Sequence, residues 1–151
     1  MIKPRKTPCA SCPYRCDVPS GVWSASEYDK LETYDGDTSE QAMKGALGVF
    51  ACHQGNAEIC AGWAAVHGNR DNFALRMAHL MDPQVDVGAV IDYTTDVPVF
   101  GSGREAAEHG RREIEEPGSA AREAVGKIAK VRQMRGQPVT YSGTPCAGRG
   151  K

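Results

Sequence analysis

Apolar positions along this chain come in short groups, punctuated by glycines, prolines and capping residues, and most of the groups predict helices. Ser24-Ala25-Ser26-Glu27 is a capping box, with Trp23 and Tyr28 flanking it at the spacing of a hydrophobic staple. It predicts a helix over 24–34, stopped by Gly36. Thr38-Ser39-Glu40-Gln41 is a second capping box, opening a short helix to Leu47 that Gly48 ends. Val49-Phe50-Ala51 reads as extended. Asn56 is placed to cap a helix over 57–67, on which Ile59, Trp63 and Val66 share a face. A further helix over 71–81 carries Phe73, Leu75, Met77, Leu80 and Met81, apolar nearly all round, and Asp82-Pro83 ends it. Val85 to Tyr93 and Val97 to Phe100 read as short strands. Residues 119–134 form an amphipathic helix through Ala121, Val125, Ile128 and Val131. Its Lys127, Lys130, Arg132 and Arg135 lie on the wet side and at the C-terminal end.

Composition changes the picture by removing the core. Val, Ile, Leu and Phe number 24 of 151 residues, below the level of about 20% at which a chain struggles to order itself. The net charge of -1 argues against disorder, however, so the fold needs a staple, and six cysteines are available to provide one. No apolar run is long enough to span a membrane, and the basic start lacks the apolar segment of a signal peptide. The expected location is therefore the cytoplasm, where clustered cysteines point to metal or redox chemistry before disulfides. Charge divides the chain: residues 1–110 carry net -6 and residues 111–151 net +5. The expected fold is mainly α, with α+β the alternative: a small metal-stapled helical module with short strands. The expected layout is a cysteine-cluster metal-binding module over 1–95, a helical extension over 96–135 and a flexible basic tail over 136–151.

The candidate chemistry sits in the cysteines. Pro8-Cys9-Ala10-Ser11-Cys12-Pro13-Tyr14-Arg15-Cys16 is followed by Cys52-His53 and Cys60. A Cys-x-x-Cys turn brings two thiolates to one side of a tight loop, and a four-ligand centre needs a second pair supplied by the fold. The expected ligands are Cys9, Cys12, Cys52 and Cys60, with Cys16 and His53 as alternates for one position. Cys60 is placed in the first turn after the Asn56 cap, where free amides favour thiolate over thiol. Cys146 reads as an ordinary free thiol, and His67, His79 and His109 as surface or boundary histidines. Zinc usually pairs two tight knuckles, whereas here seven residues separate the second pair. Cys12-Pro13 is a familiar ending of an iron–sulfur ligand run, and Tyr14, Trp23, Phe50 and Trp63 can shield a cluster. An iron–sulfur cluster of the four-iron type is thus placed narrowly ahead of Zn2+.

Other templates fit less well. Pro8-Cys9-x-x-Cys12 is half of the zinc deaminase signature, without the His-x-Glu whose glutamate moves the proton. Cys52 and His53 point to opposite faces of an extended chain, so they do not make a nucleophile pair. Phe100-Gly101-Ser102-Gly103-Arg104 lacks the Walker spacing and lysine and reads as a plain turn. No catalytic residue and no small-molecule substrate emerge, which favours a non-enzyme.

Cys9-x-x-Cys12-Pro13-Tyr14-Arg15, Gly21-Val22-Trp23, Phe50-Ala51-Cys52-His53 and Cys60-Ala61-Gly62-Trp63 resemble segments of a family of small uncharacterised proteins from actinobacteria and their phages. The resemblance spans about residues 8–80. It implies Cys9, Cys12, Cys52 and Cys60 as the shared set, and an unknown function exercised in a host cytoplasm. Similarity to the WhiB-like iron–sulfur regulators is one of analogy, since cysteine spacing and motif order differ. Two function classes follow. One is an iron–sulfur or zinc regulator or interaction module whose basic C-terminal region meets a host protein or nucleic acid. The other is a redox or enzyme-accessory iron–sulfur protein.

Overall fold

The structure, a computed structural model, describes residues 1–136. Its elements are α1 (Ala25–Glu32), α2 (Thr38–Met43), α3 (Ala61–His67), α4 (Phe73–Met81), α5 (Val87–Ile91), α6 (Gly103–Arg111) and α7 (Ser119–Met134). The fold is mainly α, as the patterning predicts. Among the described residues, extended segments meet only at single bridges: Ile2 with Val85, Pro4 with Ile59, Ala51 with Ile59, and Arg15 with Val99. The expected tail beyond Gly136, with Cys146, lies outside the described residues.

The helices that form are mainly those with a side chain to cap them. Ser24 accepts from the Glu27 amide and starts α1. Glu27 does not complete the box, because its carboxylate is taken by His53 and Lys30. The Trp23–Tyr28 staple is partly polar: the Tyr28 hydroxyl accepts from the Trp23 amide at 3.1 Å. The second box is real but shifted by one residue, with Asp37 as cap and Glu40 reaching back to it. Its helix ends at Met43, short of Leu47.

Two expectations need correction. Asn56 caps nothing; α3 begins five residues later, with Cys60 as its N-cap. The intervening chain turns through Ala57 at φ 61° and then runs extended, so that Ile59 bonds the backbone of Lys3 and Arg5. Val85 to Tyr93 is not a strand. Asp86 accepts from the Ala89 amide and starts α5, and a local cap outweighs the β-propensity of Val85, Val87, Val90 and Ile91. Of Val97 to Phe100, only the bridge at Val99 is extended pairing.

The helical extension is tied to the module. α1 and α6 pack closely, and α6 turns Gly103, Ala106, Ala107 and Gly110 inward. Asp35, just beyond α1, accepts from the Gly103 and Arg104 amides at 2.8 and 2.7 Å, so α1's exit loop holds the start of α6. Arg111 grips Asp29 and Glu32. A Cβ on Gly110 would stand 2.0 Å from the Tyr28 ring, and one on Gly103 1.9 Å from the Leu31 carbonyl oxygen. Small residues here are what let the two helices touch.

Helix propensity alone favours alanine over glycine by about 1 kcal/mol. Gly110→Ala is nevertheless expected to destabilise by about 1–3 kcal/mol, through overpacking against Tyr28. Gly126→Ala in α7, whose new Cβ meets nothing within 4 Å, is expected to stabilise by about 0.5–1 kcal/mol. Urea denaturation of both variants checks the opposite signs.

Candidate metal centre

Two loops carry the cysteines. In the first, the Cys12 amide bonds the Cys9 carbonyl at 3.0 Å and the Arg15 amide bonds the Cys12 carbonyl at 3.0 Å, which winds Cys9 and Cys12 into successive turns. In the second, residues 50–52 and 58–60 fold back on each other, with Cys52 N to Glu58 O and Cys60 N to Phe50 O both at 2.8 Å. Proline-rich turns and a left-handed Ala57 keep both loops out of regular structure. Their ends therefore converge by cross-links between loops.

Those cross-links centre on Ser11. Its carbonyl accepts the Trp23 indole N–H at 2.7 Å, and its hydroxyl accepts the Gln54 side-chain amide at 2.7 Å. The Arg15 guanidinium donates to the Pro8 and Cys9 carbonyls at 3.3 and 3.5 Å while Asp17 holds it from the other side. The result brings together all four expected residues. Cys9, Cys12, Cys52 and Cys60 are buried, with Cys12 at 0% and Cys60 at 2% exposure. The Cys12 and Cys60 sulfurs stand 3.6 Å apart, and the Cys9 thiol neighbours both Cys12 and Cys52. The order of neighbours is Cys60–Cys12–Cys9–Cys52. Among the described residues, no three His, Cys, Asp or Glu side chains already point at one ion position.

The crowding shows in the thiols. The Cys60 thiol beside it, followed by burial, pushes Cys12 well above the ordinary cysteine range. The Cys9 thiol does the same to Cys52, and Cys12 raises Cys9. Cys9, Cys12 and Cys52 are thus biased toward the thiol form, and a cysteine binds a metal as the thiolate. Gly62, in the first turn of α3, makes room for them. A Cβ there would lie 2.4 Å from the Cys12 sulfur and 2.7 Å from Tyr14 Cβ.

The alternates fall away from the cluster. Cys16 is exposed, its amide bonded to Pro98. His53 turns from Cys52, as an extended dipeptide requires: its Nε2 pairs with Glu27 at 2.7 Å and its ring lies on Trp23 at 4.4 Å. The hydrogen bond from His53, helped by Lys30, holds the Glu27 carboxyl down at about 2. Cys60 caps α3 instead of lying inside its first turn.

The aromatic wall is as expected in membership and richer in contacts. Tyr14, Trp23, Phe50 and Trp63 are buried, and Tyr34 joins them against Phe50 and Trp63. His67 is an unexpected member. It is buried among Tyr14, Tyr34 and Trp63, not at the surface, and its Nδ1 faces Asp35 at 3.9 Å. Its Nε2, the Tyr14 hydroxyl and the Trp63 indole N–H have no hydrogen-bond partner among the described residues. A histidine seven positions after Cys60 carries no sequence signal of this, because the surrounding rings come from three separate segments.

A family model matches residues 4–135 of the chain. The chain belongs to the DUF6283 family, a family of unknown function. All four clustered cysteines, with the loops and helices around them, lie inside the matched span. No curated protein and no solved structure matches the chain. Family membership thus bounds the DUF6283 domain without assigning it an activity.

Burial holds His67 down at about 4, against a small opposing pull from Asp35. A histidine depressed from its unfolded value near 6.5 contributes stability that is intact above that pH. The contribution is lost as pH falls toward 4, about 3 kcal/mol in all. Stability measured by urea at pH 7 and pH 4 should drop across that window, and His67→Phe should flatten this part of the acid limb.

Proposed function

We propose that the DUF6283 domain is a non-enzymatic interaction module stapled by a single tetrahedral ion, zinc in the first instance, on Cys9, Cys12, Cys52 and Cys60. The observation that carries the reading is the 3.6 Å separation of the Cys12 and Cys60 sulfurs. Zinc–sulfur bonds of about 2.3 Å put neighbouring sulfurs on one tetrahedron about 3.8 Å apart. Thiolates of a four-iron cluster bind different irons and so stand farther apart. The spacing supports one shared ion over the cluster that the Cys12-Pro13 ending favoured. Bringing Cys9 and Cys52 onto the same ion takes a contraction of the two loops, neither of which is locked into a sheet.

The donor set fits such an ion. Structural zinc sites are closed, with four protein ligands, whereas catalytic sites keep a position open. Here the candidates are four buried sulfurs with aromatic walls. A tetrathiolate around a divalent ion carries a net charge of about -2. Arg15 donates to carbonyls of the first loop, Arg132 to the His53 carbonyl and Arg135 to that of Gln54. Arg5 lies close enough to Cys52 to favour its charged form. When bound, the ion would link the two loops in addition to the apolar packing that Tyr14, Phe50, Ile59 and Trp63 already give them. Function then rests on the surfaces those loops present. Among the described residues no helix is long and apolar enough to cross a membrane.

Metal analysis of protein purified without oxygen tests the reading. The expected result is a colourless chain with about one zinc and no acid-labile sulfide, as four-thiolate coordination requires. A brown chain with equal iron and sulfide, bleached by dithionite, would return the centre to the iron–sulfur reading. Cys52→Ser and Gly62→Ala should both lose the metal and lower the melting temperature, while Cys16→Ser retains it. Equal metal content in all three variants would remove the ligand assignment.

A further inference from the structure

The C-terminal helix packs in part against the two cysteine loops. α7 is not among the closely packed helix pairs, which are α1 with α6, α2 with α4, α3 with α5, and α4 with α5. Its buried residues are Ala121, Val125 and Ile128, and Ile128 lines a pocket against the cysteine loops. A pocket of about 220 Å³ at that boundary is lined by Ala10, Ser11 and Gln54 on one side and by Ala124 and Ile128 on the other. The polar contacts go the same way. Arg132 stands 5.9 Å over the Trp23 ring and donates to the His53 carbonyl at 3.3 Å. Arg135 donates to the Gln54 carbonyl.

Each anchor belongs to a loop that the cysteines hold. Ser11 lies between Cys9 and Cys12, His53 and Gln54 follow Cys52, and Trp23 is pinned through its indole to the Ser11 carbonyl. The start of α7 adds little of its own: Gly118 is the N-cap and supplies no side-chain bond. A helix of 16 residues is marginal in water without a surface to pack on.

We propose that α7 is a metal-dependent strap, docked over the cysteine loops while the four sulfurs share an ion and released from Gly118 onward when the ion leaves. The proposal rests on the metal reading above and adds its regulation. Loss of the ion lets the 9–16 and 52–60 loops separate, and the Ser11, His53 and Gln54 carbonyls lose their common register. The α1–α6 pair, held by Asp35 and by its own small-residue packing, keeps its structure. Release uncovers Trp23 and the apolar face of α7 together, so the strap makes the interaction surface of the domain responsive to metal supply. By linkage, docking and metal affinity raise one another equally.

Hydrogen exchange on the full chain, loaded with zinc and then stripped by a chelator, tests the strap. Metal content is measured first on the same sample. The expected result is exchange in residues 119–134 accelerated by about tenfold or more in the stripped chain, with α1 and α6 still protected. Ile128→Asp in the full chain should bind zinc with unchanged stoichiometry and weaker affinity, read by competition with a chromophoric chelator. Exchange in α7 that ignores the metal overturns the strap and leaves the metal reading standing. Loss of protection in α1, α6 and α7 together also overturns it, since the metal would then hold the whole fold. A chain that takes up no metal overturns both.

Discussion

Four buried cysteines, Cys9, Cys12, Cys52 and Cys60, lie next to one another between two irregular loops. Cys9 and Cys12 come from one irregular loop, Cys52 and Cys60 from another, and neither loop has a ladder of its own beyond single bridges. What surrounds the sulfurs is organised around that meeting. Ser11 ties the first loop to Trp23 and Gln54, Gly62 leaves space beside the Cys12 sulfur, and α3 starts from Cys60 itself. Burial beside neighbouring thiols disfavours the ionised forms of Cys9, Cys12 and Cys52.

The rest of the domain supplies a frame with a different logic. α1 and α6 depend on glycine and alanine at their contact and on a carboxylate, Asp35, that serves the amides of another helix. The frame and the centre meet at the aromatic wall, where His67 lies between Asp35 and the rings of Tyr14 and Tyr34. Neutral His67 is compatible with that burial and charged His67 is not. The positive charge near the C-terminus has two parts. Arg132 and Arg135 are spent on the loop beside Cys52, while Lys127 pairs with Glu123 on the outer face.

Local signals in the sequence were legible wherever a side chain closes on its own backbone. Ser24 and Asp82 bound their helices much as patterning indicates, and α7 occupies the residues its apolar spacing marks out. The capping box at 37–40 slipped by one residue because aspartate and threonine compete for the cap, and Asp37 with Glu40 makes the reciprocal pair. Asn56 misled for the opposite reason. Its cap is a local option, and pairing of Ile59 with Lys3 and Arg5 from the far end of the chain outweighs it. For α5, β-branched residues gave a strand-like pattern that Asp86 overrides.

The sequence by itself determined the helical class, and it marked Cys9, Cys12, Cys52 and Cys60 as candidate ligands, with Cys16 and His53 as alternates, through the Cys-x-x-Cys spacing and the later cysteines. Tertiary structure decided the rest. The 3.6 Å spacing of the Cys12 and Cys60 sulfurs, the burial of His67 and the clamping of Arg132 onto Trp23 all join residues from separate segments. Periodicity and capping act over one or two turns of chain. Distances between such partners depend on how every intervening segment packs, and no local pattern encodes them.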